Sequence, residues 1–383
     1  MVNLLESLGK RLSTGWKQRR AAERLSQSYE CRCGAPIFFP NTECLSCKSL
    51  LGYLPDSLSL IALDPGPEPG SVRIEGRDHL DRFCGNRKTP ALCNWLVEAG
   101  DSNALCVACR LNRTIPDQTD TDNARYWTAI EAAKRRLVAQ LLALGLPVRS
   151  KLGEDPDHGL MFDFLRSPAA GLRVLTGHDN GLITINVEEA DDAKRAKIKQ
   201  DLREPYRTLL GHFRHEVGHY YWDHLVRDTR WLEPFRGLFG DERASYAEAL
   251  KRNYEQGPSA DWVNSYISSY ATTHPWEDWA ETWAHYLHVS DSMGTALGFG
   301  LEAAHLETKS TPFTPDDLYA PDHPGAARFL LLLNSWIEMI MVLNELARSM
   351  GQPDFYPFVM SKPVVAKMQF VQIITLDTST FSQ

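Results

Sequence analysis

Two histidines stand four residues apart within residues 206–226, with a glutamate directly after the first: His215-Glu216-Val217-Gly218-His219. An α-helix turns once every 3.6 residues, so positions four apart lie one above the other on one face. Both imidazoles then reach one metal ion. Glu216, one step round the turn, meets a water beside that ion rather than the ion itself. Such a pattern suits hydrolysis by a zinc-activated water, provided the segment is helical. Pro205 fits a first helical turn. Leu209, Leu210, Phe213, Val217 and Tyr221 recur at helical spacing. Gly211 and Gly218 oppose a helix by about 1 kcal/mol each relative to alanine. The missing side chain at Gly218 would let another backbone come close to the metal.

A catalytic zinc needs three protein ligands and one open position, so a third ligand must come from elsewhere. Residues 274–289, HPWEDWAETWAHYLHV, are the best source. Trp276, Trp279, Ala280, Trp283, Ala284 and Leu287 are helically spaced, and Thr273 with Pro275 makes a natural start. Glu277 and Glu281 stack on one helix face, where burial is costly unless they are paired or bound to metal. Asp278 lies about 100° further round and is a weaker candidate, whose removal should do little to zinc binding. Asp223, four residues after His219, could orient an imidazole, or could belong to a solvated helix end. His274 could cap its helix or reach the site. His212, His224, His285 and His288 have no evident ligand partner.

All eight cysteines precede residue 110, in two groups of four. Cys31 and Cys33 form one short pair and Cys44 and Cys47 the other, with Phe38, Phe39 and Pro40 available for a hairpin between them. Thiolates suit tetrahedral zinc, and such sites are usually structural. The C-x-C spacing of the first pair departs from the usual C-x-x-C. Cys84, Cys93, Cys106 and Cys109 make the second group, so one or two structural zinc ions are expected beside one catalytic ion. A redox role for Cys106 and Cys109 lacks the strand–helix–strand context.

The elements around these motifs give an α+β protein. A helix is expected over residues 122–144, a hairpin over 172–187 about Asn180-Gly181, and a polar helix over 191–203. One or two helices should span 235–252, another helical piece 261–270, a long apolar helix 325–350 and a last helix 363–376. DPGPEPG at residues 64–70 marks a linker or turn. The 383 residues thus divide into a basic arm (1–28), a cysteine region of small β-rich modules (29–118) and a mainly helical region with a small hairpin or sheet (119–383). The net charge of −8 argues against a nucleic-acid binder, although residues 1–50 hold eight Lys/Arg against four Glu. The first residues do not read as a secretory signal, and no apolar run reaches membrane-spanning length. A cytoplasmic, reducing location follows, where cysteines serve as metal ligands rather than disulfides.

Taken together, these motifs resemble known families. His215-Glu216-x-x-His219 followed by Glu277-x-x-Ala280-Glu281 is similar to the gluzincins, whose third zinc ligand is a glutamate on a later helix. Tyr270, seven residues before Glu277, looks like the site tyrosine of the lethal-factor type of zinc protease. This resemblance implies Glu277 as ligand, Tyr270 as hydrogen-bond donor in the transition state, and Glu281 as a group behind the ligands. From CRCG near residue 31, through RLNRTIPD and GLITIN, to the two helix motifs, the chain is similar to a bacterial family of zinc-binding metallopeptidases with an N-terminal zinc ribbon. The resemblance implies a zincin fold, peptide or protein substrates, and Glu216 as general base. Hydrolases of this type often carry a sheet whose edge strand lies above the metal, and the 172–187 hairpin is the candidate. A protein partner could dock on the ribbon region. Two rival readings are a ribbon module binding protein or nucleic acid on a catalytically silent zincin scaffold, and a non-peptide hydrolase. The intact Glu216 weighs against the first.

Overall fold

The structure, a computed structural model, describes residues 28–168, 174–201 and 206–377. The basic arm expected over 1–28 lies outside the described residues except for residue 28. Pro205 and residues 169–173 also lie outside them. The described residues form two compact units that follow one another at Phe213 and Arg214. The fold is α+β, rich in strands early in the chain and helical later.

In the first unit, β1 (Tyr29–Glu30) and β2 (Pro36–Ile37) pair antiparallel on either side of Cys31 and Cys33. The expected hairpin at Phe38–Pro40 is a turn instead, with the Asn41 amide on the Phe38 carbonyl at 2.8 Å. Five antiparallel strands follow in sequence order: β3 (Leu50–Leu54), β4 (Ser59–Pro65), β5 (Ser71–Arg73), β6 (Asp81–Phe83) and β7 (Leu96–Glu98). Residues 64–70 therefore act as a turn and not a linker. The Gly66 amide reaches the Ser71 carbonyl at 3.0 Å, and Gly70 takes φ +84°, which glycine alone adopts freely. Leu54, Leu63, Val72, Ile74 and Leu96 form the core of this sheet. It carries the chain from one cysteine group to the other without a break.

The RLNRTIPD segment supplies β8 (Asn112–Thr114), the edge of a second sheet ordered β10-β11-β9-β8. Here β9 is Met161–Leu165, β10 Gly177–Asp179 and β11 Leu182–Asn186. Strands β8 and β11 run parallel to β9, and β10 returns antiparallel to β11. Asn180 and Gly181 turn the hairpin at φ 44° and 79°, the left-handed pair that matches strand twist. Helix α1 (Thr121–Ala143) starts at Asp120, whose side chain accepts from the Asp122 and Asn123 amides. Its Glu131 and Lys134 are fully buried as a 2.8 Å ion pair. Asn112 Nδ2 at 2.8 Å and Trp127 Nε1 at 3.3 Å supply the further hydrogen bonds that a buried pair requires. The polar helix α2 (Asp192–Asp201) closes this part of the chain.

Helix α3 (Leu209–Leu225) leads into the second unit, followed by α4 (Leu232–Phe239), α5 (Tyr246–Gln256), α6 (Pro275–Gly298), α7 (Ala326–Ser349) and α8 (Lys362–Leu376). Residues 261–270 are not a helix. They form only the short turns Trp262–Asn264 and Tyr270–Thr272, because a Ser- and Asn-rich stretch competes for its own backbone groups. Helix α6 is the spine, packing on α4, α7 and α8. Helix α7 is long and apolar enough to cross a membrane, which corrects the expectation that no such run exists. Its Phe329, Leu333 and Trp336 are buried in the unit, while Met341 and Leu346 are exposed.

The contact that matters most for the site is between α3 and α6. A Cβ on Gly218 would lie 3.1 Å from Ala280 Cα and 3.2 Å from the Trp283 ring. Trp279 Nε1 donates to the Gly218 carbonyl at 2.8 Å. Glycine on one helix and alanine on the other thus bring the two backbones together. Gly218→Val overpacks this contact and should lower the unfolding free energy by about 1–3 kcal/mol in a urea titration; unchanged stability would show that the helices part easily.

Candidate metal centres

Among the described residues, three groups of side chains converge as metal ligands would: Cys31, Cys33, Cys44 and Cys47; Cys84, Cys93, Cys106 and Cys109; and His215, His219 and Glu277. Each cysteine is a free thiol. The Cys31–Cys47 and Cys33–Cys44 sulfurs stand 3.6 and 3.8 Å apart, and those of Cys93 and Cys106 3.7 Å. A disulfide would need about 2.05 Å. Four sulfurs at about 2.3 Å from a tetrahedral zinc stand roughly 3.8 Å from one another. The donor spacing therefore fits zinc, and the C-x-C pair takes its place in the first group despite its unusual spacing. Gly34 at φ +81° lets the chain double back there, with its amide on the Cys31 carbonyl at 2.8 Å. Ser49 lies 3.2 Å from Cys47 Sγ and helps to lower that thiol to about 6.

The two cysteine groups are knitted together. Asn94, next to Cys93, donates to the Phe39 and Asn41 carbonyls at 2.7 and 3.0 Å. Phe39, Tyr53 and Trp95 pack edge to face or tilted between the groups, with centroids 4.9 and 4.6 Å apart. Cys109 Sγ also reaches Glu131 on α1 at 3.9 Å, which ties the second group to the buried Glu131–Lys134 pair.

The third group lies on α3 and α6. His215 Nε2 and His219 Nε2 are 3.3 Å apart, and Glu277 Oε2 stands 3.0 Å from the first and 3.6 Å from the second. Ligand atoms at about 2.0–2.1 Å from a tetrahedral zinc would be roughly 3.3 Å apart. His215 Nδ1 sits 2.8 Å from Glu281 Oε1 and carries the proton to it. His215 Nε2 faces the Glu277 carboxylate, whose buried Oε2 has only the two imidazoles beside it. Three ligand atoms of these types at this spacing suit a shared cation. The residues fit a zinc ion on these grounds.

A further layer holds the donors in place. Glu281 is braced by Ser268, whose hydroxyl donates to Oε2 at 2.6 Å. Burial pushes the Glu281 carboxyl up, but the hydrogen bond and charge of His215 outweigh it and bring it down to about 2. Burial likewise opposes an ionised Glu277, and the two imidazoles hold it well below the usual carboxylate range. His215 is raised for the converse reason: Glu277 and Glu281 outweigh its own burial, so the place attracts positive charge. Tyr270 has its ring centroid 5.9 Å from that of His215, and burial raises its phenol so that it remains a donor. Glu216, on α3 next to His215, is buried.

Tyr246, at the start of α5, was not legible as a site residue. Its hydroxyl donates to Glu277 Oε1 at 2.7 Å. Asp278 stands outside the His215, His219 and Glu277 group. It is buried against Lys367 of α8 at 2.6 Å, and Lys367 also donates to the Ser265 carbonyl at 2.9 Å. It thus forms a structural ion pair one step round from Glu277. His274 resolves as a cap: Nδ1 accepts from the Trp276 amide at 3.1 Å, and Nε2 donates to the Ala244 carbonyl at 3.0 Å. Asp223 pairs with Arg227 at 2.6 Å. His285 meets the Tyr356 hydroxyl at 2.6 Å, and His288 meets Arg214 at 2.6 Å, itself paired with Asp291 at 2.7 Å. His212 is paired with Glu189 at 2.5 Å, and His224 packs on Tyr220.

Fold and donor sets together define a zinc-binding protein with a ribbon-like N-terminal region. Residues 123–374 match the family described as "Putative zinc-binding metallo-peptidase", and the chain belongs to this family. Residues 28–120 match a zinc-ribbon domain. The chain is 41% identical over 350 residues to uncharacterized proteins of Mycobacterium bovis and Mycobacterium tuberculosis, covering 91% of this chain and 95% of theirs. No solved structure matches it significantly.

The Asp278–Lys367 pair gives Asp278 a part in stability beside its expected small effect on zinc binding. Asp278→Ala leaves a buried ammonium without its partner and should cost about 3–5 kcal/mol of stability in a denaturant titration. A variant as stable as the wild type would contradict the pairing.

Proposed function

We propose that the chain is a cytoplasmic zinc-dependent peptidase, with its catalytic zinc held by His215 Nε2, His219 Nε2 and Glu277 Oε2 and a structural zinc in each cysteine group. One observation carries the catalytic assignment: His215, His219 and Glu277, from two helices, bring one ligand atom each within 3.0–3.6 Å of one another. The zinc-like sulfur spacing of both cysteine groups, longer than any disulfide, supports a reducing compartment.

A zinc ion held by His215, His219 and Glu277 would supply a water with its pKa lowered to about 7 and a Lewis acid for the scissile carbonyl. The chain's own residues do the rest. Glu216, one step round α3 from His215, would take the proton from the attacking water and hand it to the leaving amine. Tyr270 stays protonated and donates a hydrogen bond to the oxygen that gains charge. Glu281 fixes the His215 tautomer through Nδ1, so that Nε2 keeps its lone pair for the ion. A base, an oxyanion donor and a held water in one place suit amide hydrolysis.

Glu216→Gln should keep all three zinc ions and lose hydrolysis of a peptide library by about 10²–10⁴-fold. Loss of zinc on this substitution, or retained activity, would overturn the role. Glu277→Ala should release the catalytic zinc and leave the thiolate-bound ions in place, read as metal content after mild chelation.

A further inference from the structure

We infer that Tyr246 is the positioning residue of the zinc-ligand carboxylate, holding Glu277 Oε1 so that Oε2 alone faces the imidazoles. The inference rests on the zinc reading of this site and goes on to say what directs the third ligand. The two oxygens of Glu277 have separate surroundings. Oε2 lies 3.0 Å from His215 Nε2 and 3.6 Å from His219 Nε2, while Oε1 accepts from the Tyr246 hydroxyl at 2.7 Å. An ionised carboxylate offers two equivalent oxygens, and a hydrogen bond on one of them sets which is left for a cation.

Tyr246 is well placed to act as a fixed point. It is the first residue of α5, behind Ser245, whose hydroxyl accepts from the Glu248 amide at 3.4 Å. The residue before that cap is anchored to α6, since His274 Nε2 donates to the Ala244 carbonyl at 3.0 Å. The Tyr246 and His274 rings pack edge to face with centroids 5.4 Å apart. One histidine therefore caps the helix that carries Glu277 and also anchors the chain that carries Tyr246. The arrangement parallels the other side of the site, where Glu281 directs His215.

Tyr246 is committed to Glu277 through its hydroxyl, while Tyr270 stands with its ring 5.9 Å from that of His215. The two tyrosines should therefore separate in experiment.

The test uses full-length holoprotein and the Tyr246→Phe and Tyr270→Phe variants. Zinc is titrated against dipicolinate under conditions where the thiolate-bound ions stay in place. Tyr246→Phe should weaken zinc at the third site by about 10–100-fold, and Tyr270→Phe should not. Cobalt exchanged into the third site alone, shown by the absence of thiolate charge-transfer bands, supplies a second readout. Its visible spectrum should change in Tyr246→Phe, as Oε1 is freed, and stay the same in Tyr270→Phe. Equal zinc affinity and an unchanged cobalt spectrum in Tyr246→Phe would overturn the inference while leaving the site intact. If Glu277→Ala held the third zinc as tightly as the wild type, the zinc reading itself would fail, and this inference with it.

Discussion

The second unit is arranged round a conflict of charge. Two imidazole nitrogens and a carboxylate oxygen are brought within 3.0–3.6 Å of each other, while Nδ1 of His215 faces Glu281. The two carboxylates beside His215 outweigh its burial, so the place favours positive charge. Much of the surrounding structure serves to sustain it. Helices α3 and α6 can approach closely because Gly218 and Ala280 lack bulk where they cross. Trp279 clamps the crossing through the Gly218 carbonyl. The Asp278–Lys367 pair fixes the ligand-bearing turn of α6 to α8.

The bracing groups follow the same logic as the ligands. Each donor has one atom turned to the centre, and for His215 and Glu277 another atom is held from outside. His215 is held by Glu281, which is held by Ser268. Glu277 is held by Tyr246, whose backbone is tied to the cap of α6 through Ala244. A ligand freed from such a partner loses orientation before it loses contact, so outer groups commonly matter to metal affinity by one or two orders of magnitude. In the first unit the principle recurs at Cys109, which reaches the Glu131–Lys134 pair buried under α1.

What could be read from the sequence was what depends on local periodicity. His215, Glu216 and His219 follow from a helix period. The α6 start follows from Pro275, although His274 and not Thr273 caps it, and the β10–β11 turn follows from Asn180-Gly181. Both cysteine groups follow from spacing, including Cys31, whose C-x-C spacing was irregular. Glu277 needed more, since the helix face alone left Glu281 as an equal. The structure separates them by reach: one lies at the imidazole Nε2 atoms, the other behind at Nδ1. Long-range partners were beyond local reading. Tyr246 lies 31 residues from Glu277 in a segment with no motif. Lys367 lies 89 residues from Asp278, so the pair that makes Asp278 structural leaves no trace near either residue. The turn at 64–70 was ambiguous because Pro and Gly punctuate linkers and hairpins alike, and only strand pairing decides between them.

The central claim is that His215, His219 and Glu277 share one zinc ion. Anomalous scattering at the zinc edge, from a crystal of the zinc-saturated protein, tests it most directly. The account predicts a peak about 2.0–2.2 Å from His215 Nε2, His219 Nε2 and Glu277 Oε2, beside one peak in each cysteine group. Peaks in the two cysteine groups with none between the histidines and Glu277 would contradict it.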